Sequence, residues 1–212
     1  MYLRFTLSYR DVEDLLAERG IAVTYETIRR WVMVFGPTIA RRLRESRPKP
    51  HGRWHLDEMF VRIGGRQMYF WRAVDAEGEV LEVLVQTRRD CRAAARLMRK
   101  LLRRQGILPD AWVTDKCRAY GAGLRHLGLD SATHVTARRQ NNRAESSHVP
   151  VRRRERKRQG FRSPASAQRF LSMHAATYKT FTVCRHLTSA RTHRLFRAEA
   201  IAAWRNAAGV AG

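Results

Sequence analysis

The residue pattern predicts an α/β fold, a sheet-and-helix catalytic domain preceded by a small helical pair. Three observations carry this. Residues 44–53 (RESRPKPHGR) form a Pro-rich basic linker between two regions of different periodicity. After it, three successive stretches alternate apolar and polar side chains, the period of half-buried strands. On either side of those strands, apolar residues recur at three- and four-residue spacing, the period of amphipathic helices.

The elements follow in order. Ser8 caps a helix that carries Val12, Leu15 and Leu16 on one face and ends at Gly20. Thr24 caps a second helix carrying Tyr25, Ile28, Trp31, Val32 and Phe35, which Gly36-Pro37 is expected to break. Two helices on a short turn suit either a plain helical hairpin or a helix-turn-helix. Arg29 and Arg30 on the second helix tilt the choice toward DNA. Beyond the linker, strands are expected over Trp54–Ile63, Gln67–Val74 and Glu79–Thr87, the first two joined at Gly64-Gly65 either by a tight hairpin turn or by a four-residue connection. A helix from Cys91 to Arg104 turns Ala94, Leu97, Met98, Leu101 and Leu102 inward. A short strand, Ala111–Thr114, leads to Asp115. A helix over Lys116–Leu127 and a strand over Ser131–Thr136 come next. From Arg138 the chain is basic and helical, with a kink or split expected at Pro150, then helices over Pro164–Phe181 and Leu187–Trp204. Three strands, helix, strand, helix, strand, helix is the order of a ribonuclease-H-like domain. The predicted division is a helix-turn-helix at 1–43, the linker at 44–53, the catalytic domain at 54–182 and a helical tail at 183–212.

The charge balance points to a polyanion. The chain has 42 Lys and Arg against 19 Asp and Glu, a formal +23, and basic side chains release condensed counterions when they neutralise phosphates. No apolar run reaches the roughly 18 residues of a membrane span, and the N-terminus lacks the apolar stretch of a secretion signal. Cys91, Cys117 and Cys184 are odd in number and far apart, which suits reduced thiols in a cytoplasmic protein. Nucleic acid is the expected partner.

Phosphodiester chemistry directs attention to carboxylates, because two divalent metals held by hard oxygen ligands can activate the attacking oxygen and stabilise the departing one. Asp57 lies in the first strand (WHLDE), where Asp57 and Glu58 must point to opposite faces. Asp115 ends the strand AWVTD, at the place where α/β sheets present ligands. After Lys116 the acids are Asp130, Glu145, Glu155 and Glu199. Asp130 falls in a turn and Glu155 in an arginine run, where a solvated ion pair is the plain explanation. Glu145 falls just inside a helix that Asn141 or Asn142 could cap. Each acid alone is more simply a structural group. His55, on the same strand face as Asp57, is more simply a packed or surface residue, and Trp54, Trp71 and Trp112 read as core aromatics.

Five stretches, LSYRDVEDLLAERGIAVTYETIRRW (Leu7–Trp31), WHLDE (Trp54–Glu58), YFWRAVD (Tyr69–Asp75), VTDK (Val113–Lys116) and NNRAESSH (Asn141–His148), stand in this order along nearly the whole chain. The ordered set resembles the insertion-sequence six family of bacterial DDE transposases. That resemblance implies a ribonuclease-H-like domain behind a helix-turn-helix, with Asp57, Asp115 and Glu145 as catalytic and metal-binding acids for Mg²⁺ or Mn²⁺, two ions in all. It also implies a DNA-contacting basic residue seven positions after the glutamate, here Arg152, a role that Arg153 or Arg154 could take. The implied partners are double-stranded DNA, both transposon ends and target, and further copies of the chain assembled on it, with no membrane. The implied activity is 3′-end cleavage and strand transfer, with cointegrates formed by replicative transposition. Relatives usually have another helical segment before the LSYR motif, so the helix-turn-helix is expected to be truncated. A junction- or hybrid-cutting nuclease and an inactive DNA-binding remnant or repressor are the alternatives to this reading.

Overall fold

The computed structural model describes residues 1–136, 141–182 and 188–210, so Arg138, Arg139, Cys184 and Leu187 lie outside the described residues. Two compact units emerge, Pro48–Leu171 and a second made of Met1–Arg47 with Ser172–Gly212. This differs from the predicted division. The C-terminal helices cluster with the N-terminal pair instead of forming a separate tail, and the helix over Pro164–Phe181 passes from one unit to the other.

In the larger unit, β1 (Arg53–Ile63), β2 (Arg66–Asp75) and β3 (Val80–Gln86) form an antiparallel meander. Gly64 and Gly65, both at positive φ, make the two-residue turn that sets Ile63 opposite Arg66. After α3 (Cys91–Gln105), β4 (Ala111–Thr114) pairs parallel with β1. After α4 (Arg118–His126), β5 (His134–Thr136) pairs parallel with β4. The sheet order is β3-β2-β1-β4-β5, the expected α/β arrangement. The predicted strand from Ser131 begins as a 3-10 turn over Ser131–Thr133.

Strand alternation sends the even residues Trp54 and Leu56 of β1 to one face. There they pack with Trp71, Ala73 and the apolar side of α3 and α4, including Leu97, Met98, Leu101, Tyr120 and Leu124. A Cβ at Gly123 would come within 3.1 Å of Ala94 Cβ and Ala95 N, so glycine is what lets α4 lie this close to α3. On the other face run α5 (Asn142–Lys157) and the first half of α6 (Pro164–Phe181), where Phe161 packs edge-on against Phe70 and tilted against Phe170. The outer strand β3 is tied to α6 by Gln168, which accepts from Val85 N at 2.8 Å and donates to Val83 O at 2.9 Å.

In the smaller unit, α1 (Tyr9–Ala17) starts at Ser8 with a full capping box to Asp11, and α2 (Tyr25–Glu45) starts at Thr24, as predicted. α2 is not broken at Gly36-Pro37. Proline removes one helical hydrogen bond, but the loss is outweighed where Gly36, buried, receives Met173 so closely that a Cβ would sit 2.5 Å from its Sδ. α5 likewise runs through Pro150 unsplit, held on the sheet by Ala144 and Val151, both buried. α7 (Ala190–Ala208) closes the unit, its Ala207 carbonyl accepting from Arg42 at 3.1 Å.

Leu97 is fully buried at the centre of the α3–sheet core. Leu97→Ala should cost about 2–5 kcal/mol, read as a lower urea midpoint by fluorescence of Trp54, Trp71 and Trp112, which report that core.

Candidate active site

The pairing of β1 with β4 brings two of the predicted acids together. Leu56 and Thr114 are register partners in a parallel ladder, so Asp57 and Asp115 are the next residues on neighbouring strands, which lie about 4.8 Å apart. Asp115 has just left β4, and its Oδ1 accepts from Cys117 N at 2.9 Å, an Asx turn that starts α4.

The third acid arrives on α5. Asn141, fully buried, makes no capping bond. Its amide donates to the Leu56 carbonyl at 3.0 Å, pinning the start of α5 to the peptide beside Asp57. Glu145 follows in the first turn and is exposed. One turn on, His148 meets Asp57, with Nε2 to Oδ2 at 3.0 Å. Burial holds the imidazole below its ordinary pKa despite this partner. The neutral ring therefore donates from Nε2, since a carboxylate can only accept. Buried Arg72 is the cross-strand partner of Asp57 on β2.

Glu58 points to the opposite face, as alternation requires. Its side chain is 2% exposed, takes the Tyr120 hydroxyl on Oε2 at 2.5 Å and Arg89 Nε on Oε1 at 2.5 Å. Burial raises its pKa, and these two donors oppose the rise. Arg89 Nη2 lies 3.9 Å from Asp115 Oδ2.

Among the described residues, the group of potential ligand atoms within 4.8 Å of one another is Glu58, Asp115 and Cys117, so Asp57, Asp115 and Glu145 do not converge at that spacing. Asp57 is turned to His148, Asp115 toward Arg89, and Glu145 outward. The Glu58 group suits a hard cation poorly. Burial pushes the Cys117 thiol up, keeping it protonated, and both Glu58 oxygens already accept strong hydrogen bonds. Carboxylates are the hard oxygen donors Mg²⁺ takes; Asp57 and Asp115 lie on neighbouring strands, and the helix that carries Glu145 begins at the Leu56 carbonyl.

The basic residues separate by exposure. Arg29 and Arg30 are exposed on α2, with Arg29 paired to Glu26. On α5, Arg153 is exposed, while Arg152 is 40% exposed, bonded to the Phe60 carbonyl at 2.6 Å and to Glu155 at 3.0 Å. Arg154 is a correction. It is 2% exposed, with its guanidinium over Phe170 at 5.3 Å, and packs the helix onto the sheet side instead of facing outward. His148, the bond from Asn141 to β1 and the Glu58–Arg89–Tyr120 network escaped sequence reasoning. His148 and Glu58 do lie inside the NNRAESSH and WHLDE motifs, the one signal that could have marked them.

Comparison with known proteins settles the family. A family profile described as a DDE domain matches residues 51–183. The chain belongs to the insertion-sequence six family of bacterial DDE transposases. It is 30% identical over 182 residues to the transposase for insertion sequence-like element IS431mec of Staphylococcus aureus, a match covering 84% of this chain and 81% of the relative. It is 29% identical over the same length to the transposase for insertion sequence element IS257 in transposon Tn4003, also of Staphylococcus aureus. The fold is similar to that of a chain in the cryo-EM structure of the simian T-cell lymphotropic virus intasome in complex with PP2A regulatory subunit B56 gamma. The TM-score is 0.50 at 14% identity, and the match covers 69% of this chain and 55% of that one. Among the described residues, no helix is long and apolar enough to cross a membrane.

The Asn141 clamp is testable. Asn141→Ala should destabilise the larger unit by about 1–3 kcal/mol through loss of a buried hydrogen bond, and amide exchange should accelerate first at the N-terminal turn of α5.

Proposed function

We propose that this DNA transposase cleaves the 3′ ends of its insertion sequence and joins them to target DNA in a metal-dependent reaction, leaving cointegrates by replicative transposition. The observation that carries the reading is the adjacency of Asp57 and Asp115 on paired parallel strands, with the Glu145 helix tethered at the same peptide.

In this reading Asp57, Asp115 and Glu145 hold two Mg²⁺ or Mn²⁺ ions. When bound, such ions activate the attacking oxygen, water first and then the freed 3′-hydroxyl, and stabilise the departing one. His148 orients Asp57 through its Nε2 hydrogen bond, a partner of the kind that fixes ligand geometry. Asn141 sets the height of Glu145 against β1. Arg152 and Arg153 of α5 contact the phosphates of the end DNA, and Arg29 and Arg30 on α2 of the helix-turn-helix contact the duplex, positioning it without themselves specifying sequence. Two ends and a target must be held at once, so the working form is an assembly of several copies on DNA, acting in the cytoplasm at the nucleoid.

The test uses purified full chain and labelled duplexes of the element's ends. With Mg²⁺ it should nick and join them. Asp57→Asn, Asp115→Asn and Glu145→Gln should each lower the rate by about a hundredfold to a thousandfold, the scale of removing a group on which transition-state charge stabilisation depends, while duplex binding persists. Wild-type rates in Asp115→Asn would remove the assignment, and cleavage without joining would point to a nuclease.

A further inference from the structure

Arg89 belongs to the loop between β3 and α3, far in sequence from the predicted acids. Its side chain is nonetheless anchored among them. Nε donates to Glu58, whose carboxylate is buried and receives the equally buried Tyr120 hydroxyl on its other oxygen. Nη2 reaches 3.9 Å from Asp115 Oδ2, beyond ordinary hydrogen-bond length, so the outer edge of the guanidinium is not committed to that acid. The side chain remains 48% exposed. Glu82 of β3, another buried acid of this sheet, takes Lys100 and Arg104 of α3. Arg89 differs because its free edge is directed at a carboxylate of the candidate active site. A guanidinium fixed at Nε offers two terminal nitrogens in the fork that matches two phosphate oxygens.

We propose that Arg89 is a phosphate-binding residue of the active site, held at Nε by Glu58, which Tyr120 fixes in turn, so that its outer edge takes the DNA phosphate brought to Asp115. This rests on the reading of Asp115 as a member of the DNA-cleaving site. Glu58 is then a positioning residue, which explains why a buried acid neighbours Asp57 on a strand whose other inward side chains are apolar on that face.

The experiment measures binding without turnover. Full chain is titrated, in Ca²⁺ in place of Mg²⁺, with a labelled duplex spanning the junction between the element's end and its flanking DNA. Arg89→Ala should weaken binding by about tenfold to a hundredfold, the scale of losing a charge-assisted hydrogen-bond pair. Arg89→Lys should recover part of it, as a point charge without the fork. On a duplex whose junction phosphate is a neutral methylphosphonate, wild type and Arg89→Ala should bind alike. Because Arg89→Ala leaves Glu58 without its cation, the double variant Arg89→Ala/Glu58→Gln should show the same loss with neither charge present. Equal binding of wild type and both variants to the natural duplex, or an equal loss on the methylphosphonate duplex, overturns the proposal. Persistent cleavage by Asp115→Asn would instead count against the strand-transfer reading, a separate outcome from this comparison.

Discussion

The parallel ladder between β1 and β4 puts the two strand-borne acids, Asp57 and Asp115, on neighbouring backbones. The ladder sets Leu56 beside Thr114, and everything chemical in the larger unit is hung from that level. Antiparallel β2 brings Arg72 across from Asp57, the turn after β4 presents Asp115, and the Leu56 carbonyl receives the Asn141 amide that fixes where α5 begins. A slip of one residue in this register would exchange the faces of Asp57 and Glu58 and unmake the site.

The alternation of a strand gives two adjacent acids different surroundings. Asp57 faces α5 and meets a neutral imidazole, while Glu58 faces α3 and α4, where a phenol and a guanidinium close around it. The sheet thus sends two adjacent carboxylates to opposite faces across a single peptide bond, each to its own partners. Burial of Glu58 is tolerable because both of its oxygens are satisfied by strong donors. The family membership shown by the comparisons agrees with this α/β architecture, and the likeness to a chain of the simian T-cell lymphotropic virus intasome structure is one of fold.

Much of the scaffold was legible from residue pattern. Period-two alternation located the three meander strands, Gly64-Gly65 identified their turn, and Ser8 and Thr24 marked helix starts, because each of these signals is local. Several failures are cases where a distant contact overrode a local rule. Pro37 and Pro150 do not break their helices, since Met173 against Gly36 and the buried faces of Ala144 and Val151 hold the backbone helical. Asn141 looked like a cap, yet its amide goes to a strand distant in sequence. Arg154 looked like one more cation in a basic run, but its position on the inward side of α5 puts it over Phe170. Of the candidate site, Asp57, Asp115 and Glu145 stand in motifs and so could be named as candidates, whereas Glu58, Arg89 and Tyr120 become partners only when β1, the loop after β3 and α4 are folded together.

The amide of Gln168 has a consequence for the solubility of the sheet. An outer strand exposes a row of peptide groups to which any passing chain can add itself. Gln168 offers β3 one carbonyl and one amide hydrogen, matched to Val85 and Val83, which are the two groups a neighbouring peptide would otherwise supply. A single side chain therefore imitates a stub of sixth strand. At that point the row is closed to a stranger.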